Sequence, residues 1–337
     1  MYCLTLIVKN SGPIIYDALN SWKNVVNYYC ILDTGSNDDT IEYINKFKNS
    51  LKFKNTFKLF KSDFKGFSKS RNECIKLAEN HFKNTKYFIM IDDSYVLVDN
   101  KDHSLLEQLN IANSLNHKLI AYNVKNNNVV HPRKMIFTKG HRFHGDIHED
   151  IPEINDCLIH YVYIQDVKND YHIKRTHDRM FKDICILKKD TKKLRNIYYI
   201  GVSYFILKQY DSSIHWFKNS INYDEKSNDY DDECICQSYF YLIETYRCME
   251  NYDKCFKYSK NLLIFINNKN NQILKNRLPE IYLIFYYLTG SNIYINHAYN
   301  IIKNNNFKIP HSKYSINYDI YLNIIPDEYK KINNIKD

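Results

Sequence analysis

Apolar runs alternate with amphipathic segments through the first half of the chain, and this alternation predicts an α/β fold. Residues 2–8 predict a strand, residues 14–22 carry apolar side chains at helical spacing, and residues 28–32 predict a second strand. Strands joined through a helix in this way lie parallel in one sheet. Further strands are predicted at residues 57–60, 118–124, 135–137 and 157–163, and further helices at residues 41–47, 69–81 and 105–115.

A longer apolar run at residues 87–98 contains two adjacent carboxylates, Asp92 and Asp93. We interpret this run as a central parallel strand whose C-terminal end carries the two carboxylates. Ligands bind at that edge of open α/β sheets, and neighbouring carboxylates are costly to keep close unless a cation or a hydrogen-bond donor lies between them. The pair is therefore a candidate divalent-metal site, with capping of the following turn as the alternative.

The second half of the chain contains an internal repeat with helical spacing. Tyr210 aligns with Tyr252 and Ser213 aligns with Cys255, so two copies lie 42 residues apart. Each copy predicts two helices joined by a short turn, a pattern that resembles tetratricopeptide repeats. The copies lie at residues 197–222, 236–264 and, more weakly, 280–303.

The strand patterns end near residue 170, and this change divides the chain. Residues 172–189 predict a long, charged linker helix. A length of 337 residues also exceeds one typical domain. We therefore predict an α/β domain at residues 1–170 and an all-α, helical-repeat domain at residues 171–337.

Composition and charge narrow the class of protein. The chain is 44% hydrophobic with only 7 Gly and 6 Pro, which is typical of a globular protein. Its net charge of +9 is spread along the sequence rather than clustered, and this argues against a nucleic-acid binder. Nine irregularly spaced cysteines lack the spacing of a disulfide framework or a zinc site. We find no signal peptide and no run long enough to span a membrane, and so expect a cytoplasmic protein.

The predicted second strand ends in a polar segment, DTGSNDDT, which begins at Asp33. Gly35 permits a tight turn, and the free amides at the start of the next helix suit a polar or anionic ligand. Asp33, at the strand end, is a candidate acceptor for a base or a ribose hydroxyl. An ordinary capped turn is the alternative.

Arg71 and Asn72 lie in the first turn of the predicted helix at residues 69–81. An arginine at this position opposes the preference of the helix dipole for negative charge. We therefore expect Arg71 to have a carboxylate or phosphate partner, with a solvent-exposed arginine as the alternative.

The segment HPRKMIFTKGHRFHGDIHED at residues 131–150 is dense in groups that can transfer protons. Glu149 or Asp150 is a candidate general base if the fold brings it to the sheet edge that carries Asp92. His160 lies in the apolar strand that follows, where its ring nitrogens need either internal partners or a metal ion.

Six segments, taken in order, resemble a family 2-like glycosyltransferase of GT-A fold, a Rossmann-like mixed sheet, followed by tetratricopeptide-like helices. The resemblance covers nearly the whole chain and depends on the combination of segments. The segments are LIVKN at 6–10, LDTGSNDDT at 32–40, FSKSRN at 67–72, IDDSYVL at 91–97, FHGDIHE at 143–149 and IHYVY at 159–163.

The resemblance implies transfer of a sugar from a nucleotide-sugar donor, most commonly UDP-linked, to a protein, peptide or glycan acceptor by an inverting, hexosyltransferase-type (EC 2.4) reaction. Glu149, or failing it Asp150, matches the family's base. Asp92, Asp93 and His160 are the implied ligands of Mn²⁺ or Mg²⁺. The residues implied at the donor site are Val8, Lys9, Asn10, Asp33, Gly35, Arg71, Asn72 and Asp92.

Two departures from the family's pattern leave a second interpretation open. Ser94 stands where the acidic motif usually has its second carboxylate, and Val162 replaces the usual glycine of the late histidine motif. A non-catalytic scaffold, in which the helical repeats bind a peptide beside a decayed site, is therefore the alternative. A nucleotidyltransferase would need a glycine-rich phosphate loop, and Gly12 alone does not make one.

Overall fold

The computed structural model consists of two compact units. Residues 1–127 and 131–173 form the first unit, and residues 128–130 and 174–337 form the second. It describes residues 1–53, 56–98, 104–126, 129–147, 149–153, 156–167, 170–305, 316–317 and 320–333, with the backbone alone at 126, 129–131, 158–163, 170–176, 316–317 and 321–322.

The first unit is built on a mixed sheet with strand order β3-β2-β1-β4-β7-β6-β8-β5. Strands β1 to β4 are parallel to one another, and β7 pairs with β4 in the antiparallel direction. Consequently the C-terminal ends of β1, β2 and β4 lie at one edge of the sheet. The strands are β1 (Tyr2–Val8), β2 (Tyr28–Asp33), β3 (Phe57–Lys61), β4 (Tyr87–Ile91), β5 (Tyr95–Val98), β6 (Leu119–Asn126), β7 (Val129–Phe137) and β8 (Cys157–Asp166).

The apolar run at residues 87–98 forms two strands rather than one. As predicted, Asp92 and Asp93 follow a central parallel strand, β4, whose five residues are all buried. The Tyr95 amide donates to the Asp92 carbonyl (3.0 Å), and this turn directs the chain away from β4. β5 then pairs with β8 at the far end of the strand order. The sequence prediction covered the first strand and the two carboxylates at its end, and the structure adds a second strand, β5, after a three-residue turn.

Helices cover the sheet of the first unit, and α3 carries a polar group on its buried face. Arg71 shares that face with Cys74, Ile75 and Ala78, since residues three, four and seven positions apart lie on one side of a helix. These helices are α1 (Ile14–Ser21), α2 (Thr40–Ser50), α3 (Phe67–His81) and α4 (Leu105–Ser114).

The second unit is helical, as predicted, so that the chain is an α/β unit followed by helices. Within the described residues, no helix combines the length and the apolar character needed to cross a membrane. Besides the short strand β9 (Ile316–Asn317), its elements are α5 (Asp170–Leu187, which begins in the first unit), α6 (Leu194–Ile206), α7 (Tyr210–Ile221), α8 (Asp232–Cys248), α9 (Tyr252–Asn268), α10 (Gln272–Lys275), α11 (Leu278–Thr289), α12 (Asn292–Asn304) and α13 (Ile325–Ile332).

The predicted repeat has a counterpart in the backbone of the second unit. Lys208 and Glu250, 42 residues apart, both adopt a left-handed conformation (φ 57° and 56°) in the turns that join α6 to α7 and α8 to α9. Ser213 Oγ donates to the Gly201 carbonyl (3.2 Å), and the aligned Cys255 Sγ donates to the Ile243 carbonyl (3.4 Å). The two helix pairs are therefore repeats of one structural unit, while their relation to tetratricopeptide repeats remains a prediction.

Candidate active site at the carboxyl edge of the sheet

The loops that follow β1 and β2 are joined by backbone and side-chain hydrogen bonds. The carbonyl of Val8 accepts from the amide (2.8 Å) and hydroxyl (3.0 Å) of Thr34. Asn10, in a left-handed conformation (φ 53°), exchanges side-chain hydrogen bonds with Asn37. Buried Asp33 accepts from the Ser36 amide through Oδ1 (3.0 Å). These contacts fix the loops that we predicted to receive the nucleoside.

Gly35 lies under the side chain of Lys9. A Cβ atom at Gly35, whose φ is +101°, would lie 4.0 Å from Lys9 Nζ. The positive φ explains the glycine here, because other residues rarely adopt this conformation. Lys9 thus brings an exposed positive charge to the loop that follows β2.

Ser11 connects this region to the acidic motif. Its hydroxyl donates to Oδ2 of Asp93, and its backbone amide donates to Thr40 Oγ1 (2.7 Å). Ser11 therefore links the ends of β1 and β4 through a side-chain contact that no local pattern indicates.

Arg71 lies at the centre of the site. Its Nη2 donates to Asp92 Oδ1 (2.5 Å), and its Nε donates to Glu149 Oε1 (2.8 Å). The expectation that this arginine has a carboxylate partner is confirmed, and it has two. Three segments that are far apart in sequence thus meet through one guanidinium group.

Burial and charge act in opposite directions on Arg71. Burial lowers the pKa of the guanidinium, but the nearby carboxylates of Asp92 and Glu149 outweigh burial and raise it above the usual value. Among the described residues, the buried Nη1 atom has no hydrogen-bond partner. A buried, unpaired donor is costly in a folded protein, and it suits an anionic ligand.

The segment that carries Glu149 is also held to α3 by Asn72, the residue that follows Arg71. Asn72 Nδ2 donates to the Phe143 carbonyl, and its Oδ1 accepts from the Phe143 amide (2.8 Å each). Two turns further along α3, Glu79 accepts from Arg142 Nη2 (2.7 Å) and from the Gly140 amide (3.0 Å). Asn72 therefore positions the loop, which is a different contribution from the donor contact implied by the resemblance.

The two candidate bases have different surroundings. Glu149 is buried (8% exposed) beside Arg71, whereas Asp150 is more open and pairs with Lys134 Nζ (2.9 Å). The backbone of Asp150 bridges to His144. Only Glu149 contacts the cluster around Asp92. His148, which directly precedes Glu149, lies outside the described residues.

The acidic motif offers fewer free oxygens than its sequence suggests. Asp93 accepts from Ser11, and the Ser94 hydroxyl donates to buried Asp166 on β8 (2.6 Å). The carboxylate of Asp92 is about one third exposed (32%) and contacts Arg71. The side chain of His160 lies outside the described residues, so its predicted role as a ligand remains a prediction.

The described residues of this site would hold a divalent metal only with further ligands. Within the described part of the chain, no three His, Cys, Asp or Glu side chains lie close enough together to hold a metal ion. Mg²⁺, however, is commonly held by one or two carboxylates and by the phosphates of a substrate. Partly exposed Asp92 is compatible with that arrangement, in which a diphosphate supplies most of the oxygens.

Arg133, on β7, is a member of the site that the sequence did not reveal. Phe88 pairs with Phe137 and Ile89 with Ile136 in the antiparallel direction, so Arg133, four residues before Phe137, lies toward the end of β4 that leads into Asp92. Burial lowers the pKa of Arg133, but Tyr95, Asp92 and Glu149 together raise it above its usual value. A strand register across β4 and β7 is a long-range property, so neither strand alone indicates this neighbour.

A cavity of about 620 Å³ lies within the second unit, between α8, α9 and α11. Most of its lining is apolar or aromatic, and Tyr252 and Tyr287 keep more than half of their surface exposed. Polar groups at the cavity come from Glu244, Arg247 and Glu280. The volume is in the range of sites for small ligands or single side chains.

Comparison with known proteins relates the chain to glycosyltransferases. It is 26% identical over 239 residues to the SPbeta prophage-derived glycosyltransferase SunS of Bacillus subtilis (strain 168) and to the glycosyltransferase SunS of Bacillus phage SPbeta. The match covers 66% of this chain and 54% of each relative, so the chain spans about half the length of these proteins. No family model matches it.

Among solved structures, the chain is similar to the mannosyltransferase PcManGT from Pyrobaculum calidifontis in complex with GDP-Man and Mn²⁺. The identity is 10%, the TM-score is 0.43, and the match covers 88% of this chain and 82% of that chain. This likeness is too distant to transfer roles between individual residues.

Proposed function

We propose that the protein is a glycosyltransferase that moves a sugar from a nucleotide-sugar donor to an acceptor. The observation that supports this most is the convergence of Asp92, Arg71 and Glu149 at the carboxyl edge of the parallel strands, through contacts of 2.5 and 2.8 Å. This edge is the usual ligand site of open α/β sheets. The relation to the two SunS glycosyltransferases supports the same reaction class.

In the proposed complex, the nucleoside binds at the loops after β1 and β2, beside Val8, Lys9, Asn10, Asp33 and Gly35. The diphosphate then extends toward Arg71, whose buried Nη1 donor gains a partner. Asp92 would hold Mn²⁺ or Mg²⁺ together with the diphosphate, with His160 and Asp93 as further candidate ligands. When bound, the metal would neutralise charge on the departing diphosphate.

Glu149 is the proposed general base. A hydroxyl or amide group of the acceptor attacks the anomeric carbon, and Glu149 accepts the proton that this group loses. The bond between that carbon and the diphosphate oxygen breaks, and the nucleoside diphosphate leaves with the electron pair. Attack from the face opposite the leaving group inverts the anomeric centre. Arg71, bonded to Glu149 Oε1, orients the carboxylate, whose Oε2 takes the proton.

The acceptor is proposed to be a protein, peptide or glycan held by the helical unit. The cavity lined by Tyr252, Tyr287 and Leu283 supports this proposal, because exposed aromatic side chains bind sugars and apolar side chains alike. No contact between the two units is implied.

Hydrolysis and binding of a panel of nucleotide sugars test the proposal. Wild-type protein is mixed with UDP-linked and GDP-linked sugars, with and without Mn²⁺ or Mg²⁺, and with peptide and glycan arrays as acceptors. Glu149→Gln should lower turnover by about 10²- to 10⁴-fold, the usual contribution of a general base, while donor binding persists. Glu107→Gln, the same change on exposed α4, is the matched control.

Two results would contradict parts of this proposal. Unchanged turnover in Glu149→Gln, together with a loss in Asp150→Asn, would move the base to Asp150. If wild-type protein neither binds nor hydrolyses any donor in the panel, the result supports the scaffold alternative instead.

A further inference from the structure

Among the described residues of the candidate site, Arg133 is a cation without a direct partner. It is half-buried, and its electrostatic neighbours are Tyr95, Asp92, Glu149 and, with the same sign of charge, Arg71. Between described residues, these interactions are long-range only, since its guanidinium takes part in no hydrogen bond or ion pair there. By contrast, Arg71 makes close ion pairs with both carboxylates.

The two arginines therefore differ in their contacts with the carboxylates. Arg71 occupies one oxygen each of Asp92 and Glu149. Arg133 adds a second positive charge to a cluster whose two carboxylates already have a partner. Arg133 offsets the excess negative charge that two carboxylates leave beside one arginine, but its guanidinium donors have no acceptor among the described residues. Planar guanidinium groups match phosphate oxygens well.

We propose that Arg133 is a binding residue for the diphosphate of the nucleotide donor, near Asp92 at the C-terminal end of β4. Two hydrogen-bond donors there have no acceptor among the described residues: the Arg133 guanidinium and the buried Nη1 atom of Arg71. A diphosphate at this position would gain hydrogen bonds from both guanidinium groups. The proposal rests on the proposed function, because it names the group of the donor that this site binds.

The test compares diphosphate with monophosphate binding. Titration calorimetry measures the affinities of UDP, UMP, GDP and GMP for wild-type protein, Arg133→Gln and Arg133→Lys. Gln keeps most of the length of the side chain and removes its charge. In Arg133→Gln, loss of a charge-assisted hydrogen bond should weaken the affinity for UDP or GDP, whichever binds wild type more tightly, about 10- to 100-fold. The preference for that diphosphate over its monophosphate should also fall. Lys should restore part of the preference, since it keeps the charge without the planar fork.

Lys86→Ala is the matched control for the change in charge. Lys86 is exposed and lies just before β4, at the opposite end of the strand from Asp92, a separation of about 20 Å for six residues of extended chain. Its removal should leave both affinities within about twofold. Thermal denaturation of each variant shows whether the first unit remains folded.

Each outcome bears on a different statement. Wild-type protein that binds none of the four nucleotides contradicts the proposed function and, with it, a diphosphate role for Arg133. Wild-type binding with an unchanged diphosphate preference in folded Arg133→Gln contradicts the role of Arg133 alone. Equal weakening of mono- and diphosphate would show that Arg133 only supports the shape of the site, which also overturns the proposal.

Discussion

At the scale of single residues, the site is organised by arginine and carboxylate groups that are taken out of water. Arg71 is 4% exposed and joins Asp92 and Glu149. Removal of one partner of such a pair is expected to cost more than the pair contributes, because a buried charge is left alone. The same physics that makes the cluster costly to disturb makes it suitable for a charged substrate.

Glu79 provides a prediction about pH. Burial raises the pKa of Glu79, but hydrogen bonds from Arg142 and from the Gly140 amide more than offset burial, and the pKa is lowered in the folded protein. A carboxyl group whose pKa is lower when folded stabilises the fold above its unfolded pKa of about 4.3, and this contribution is lost as pH falls through the folded pKa. Unfolding of wild-type protein should therefore become easier as pH decreases from about 5 to 3.

Denaturant unfolding of Glu79→Gln over this pH range measures the effect. The variant should be less stable than wild type by about 1.5–3 kcal/mol at pH 7, the range for hydrogen bonds to charged groups, and the difference should shrink below pH 4. Glu73→Gln on the same helix is the control, since its ion pair with Lys65 (2.9 Å) is more exposed and worth less than about 1 kcal/mol. A difference that stays constant with pH would mean that Glu79 acts through packing alone.

At the scale of elements, periodicity predicted most strands and helices because burial repeats every two residues in a strand and every three or four in a helix. The helix pairs of the second unit followed from this pattern and from the 42-residue repeat. The division of residues 87–98 into β4 and β5 did not. The turn at Asp92 is set by the pairing of β5 with β8, which is a tertiary contact.

The same distinction applies to the candidate site. A local rule about helix dipoles indicated that Arg71 needs an anionic partner, and the contacts with Asp92 and Glu149 confirm it. The sequence did not predict that Ser11 and Arg133 belong to the site, because their positions depend on which strand ends lie side by side. The roles of Glu149, Asp150 and His160 in catalysis or metal binding remain predictions.

Gly201 provides a prediction at the crossing of α6 and α7. A Cβ atom there would lie 2.8 Å from two ring atoms of Phe217, which is fully buried. Gly201→Ala gains about 1 kcal/mol of helix propensity, but overpacking typically costs about 1–3 kcal/mol. We therefore expect a net loss of stability of up to about 2 kcal/mol, measured by denaturant unfolding.

A double-mutant cycle separates crowding from other effects of the alanine. In a Phe217→Leu background the ring is absent, so the same Gly201→Ala change should be neutral or stabilising. An equal loss of stability in both backgrounds would show that close packing against Phe217 is not the cause.

At the scale of the whole molecule, the two units carry different features. The candidate site and its carboxylates lie in the first unit, and the cavity lined by tyrosines lies in the second. The net charge of +9 is dispersed and gives only a weak, general attraction for anions. The proposed binding of a diphosphate would therefore depend on local groups such as Arg71 and Arg133.

The two units also have separate hydrophobic cores among the described residues, one built on the sheet and others on the helix pairs. Separate cores unfold as separate cooperative units when little stabilisation is shared between them. Calorimetry of the full chain should then show two thermal transitions. A nucleotide diphosphate at 100 times its Kd should stabilise only the transition of the first unit, by about 2.7 kcal/mol, because ligands stabilise the unit that they bind. Gly201→Ala should lower only the other transition, and a single transition that responds to both changes would mean that the units fold as one.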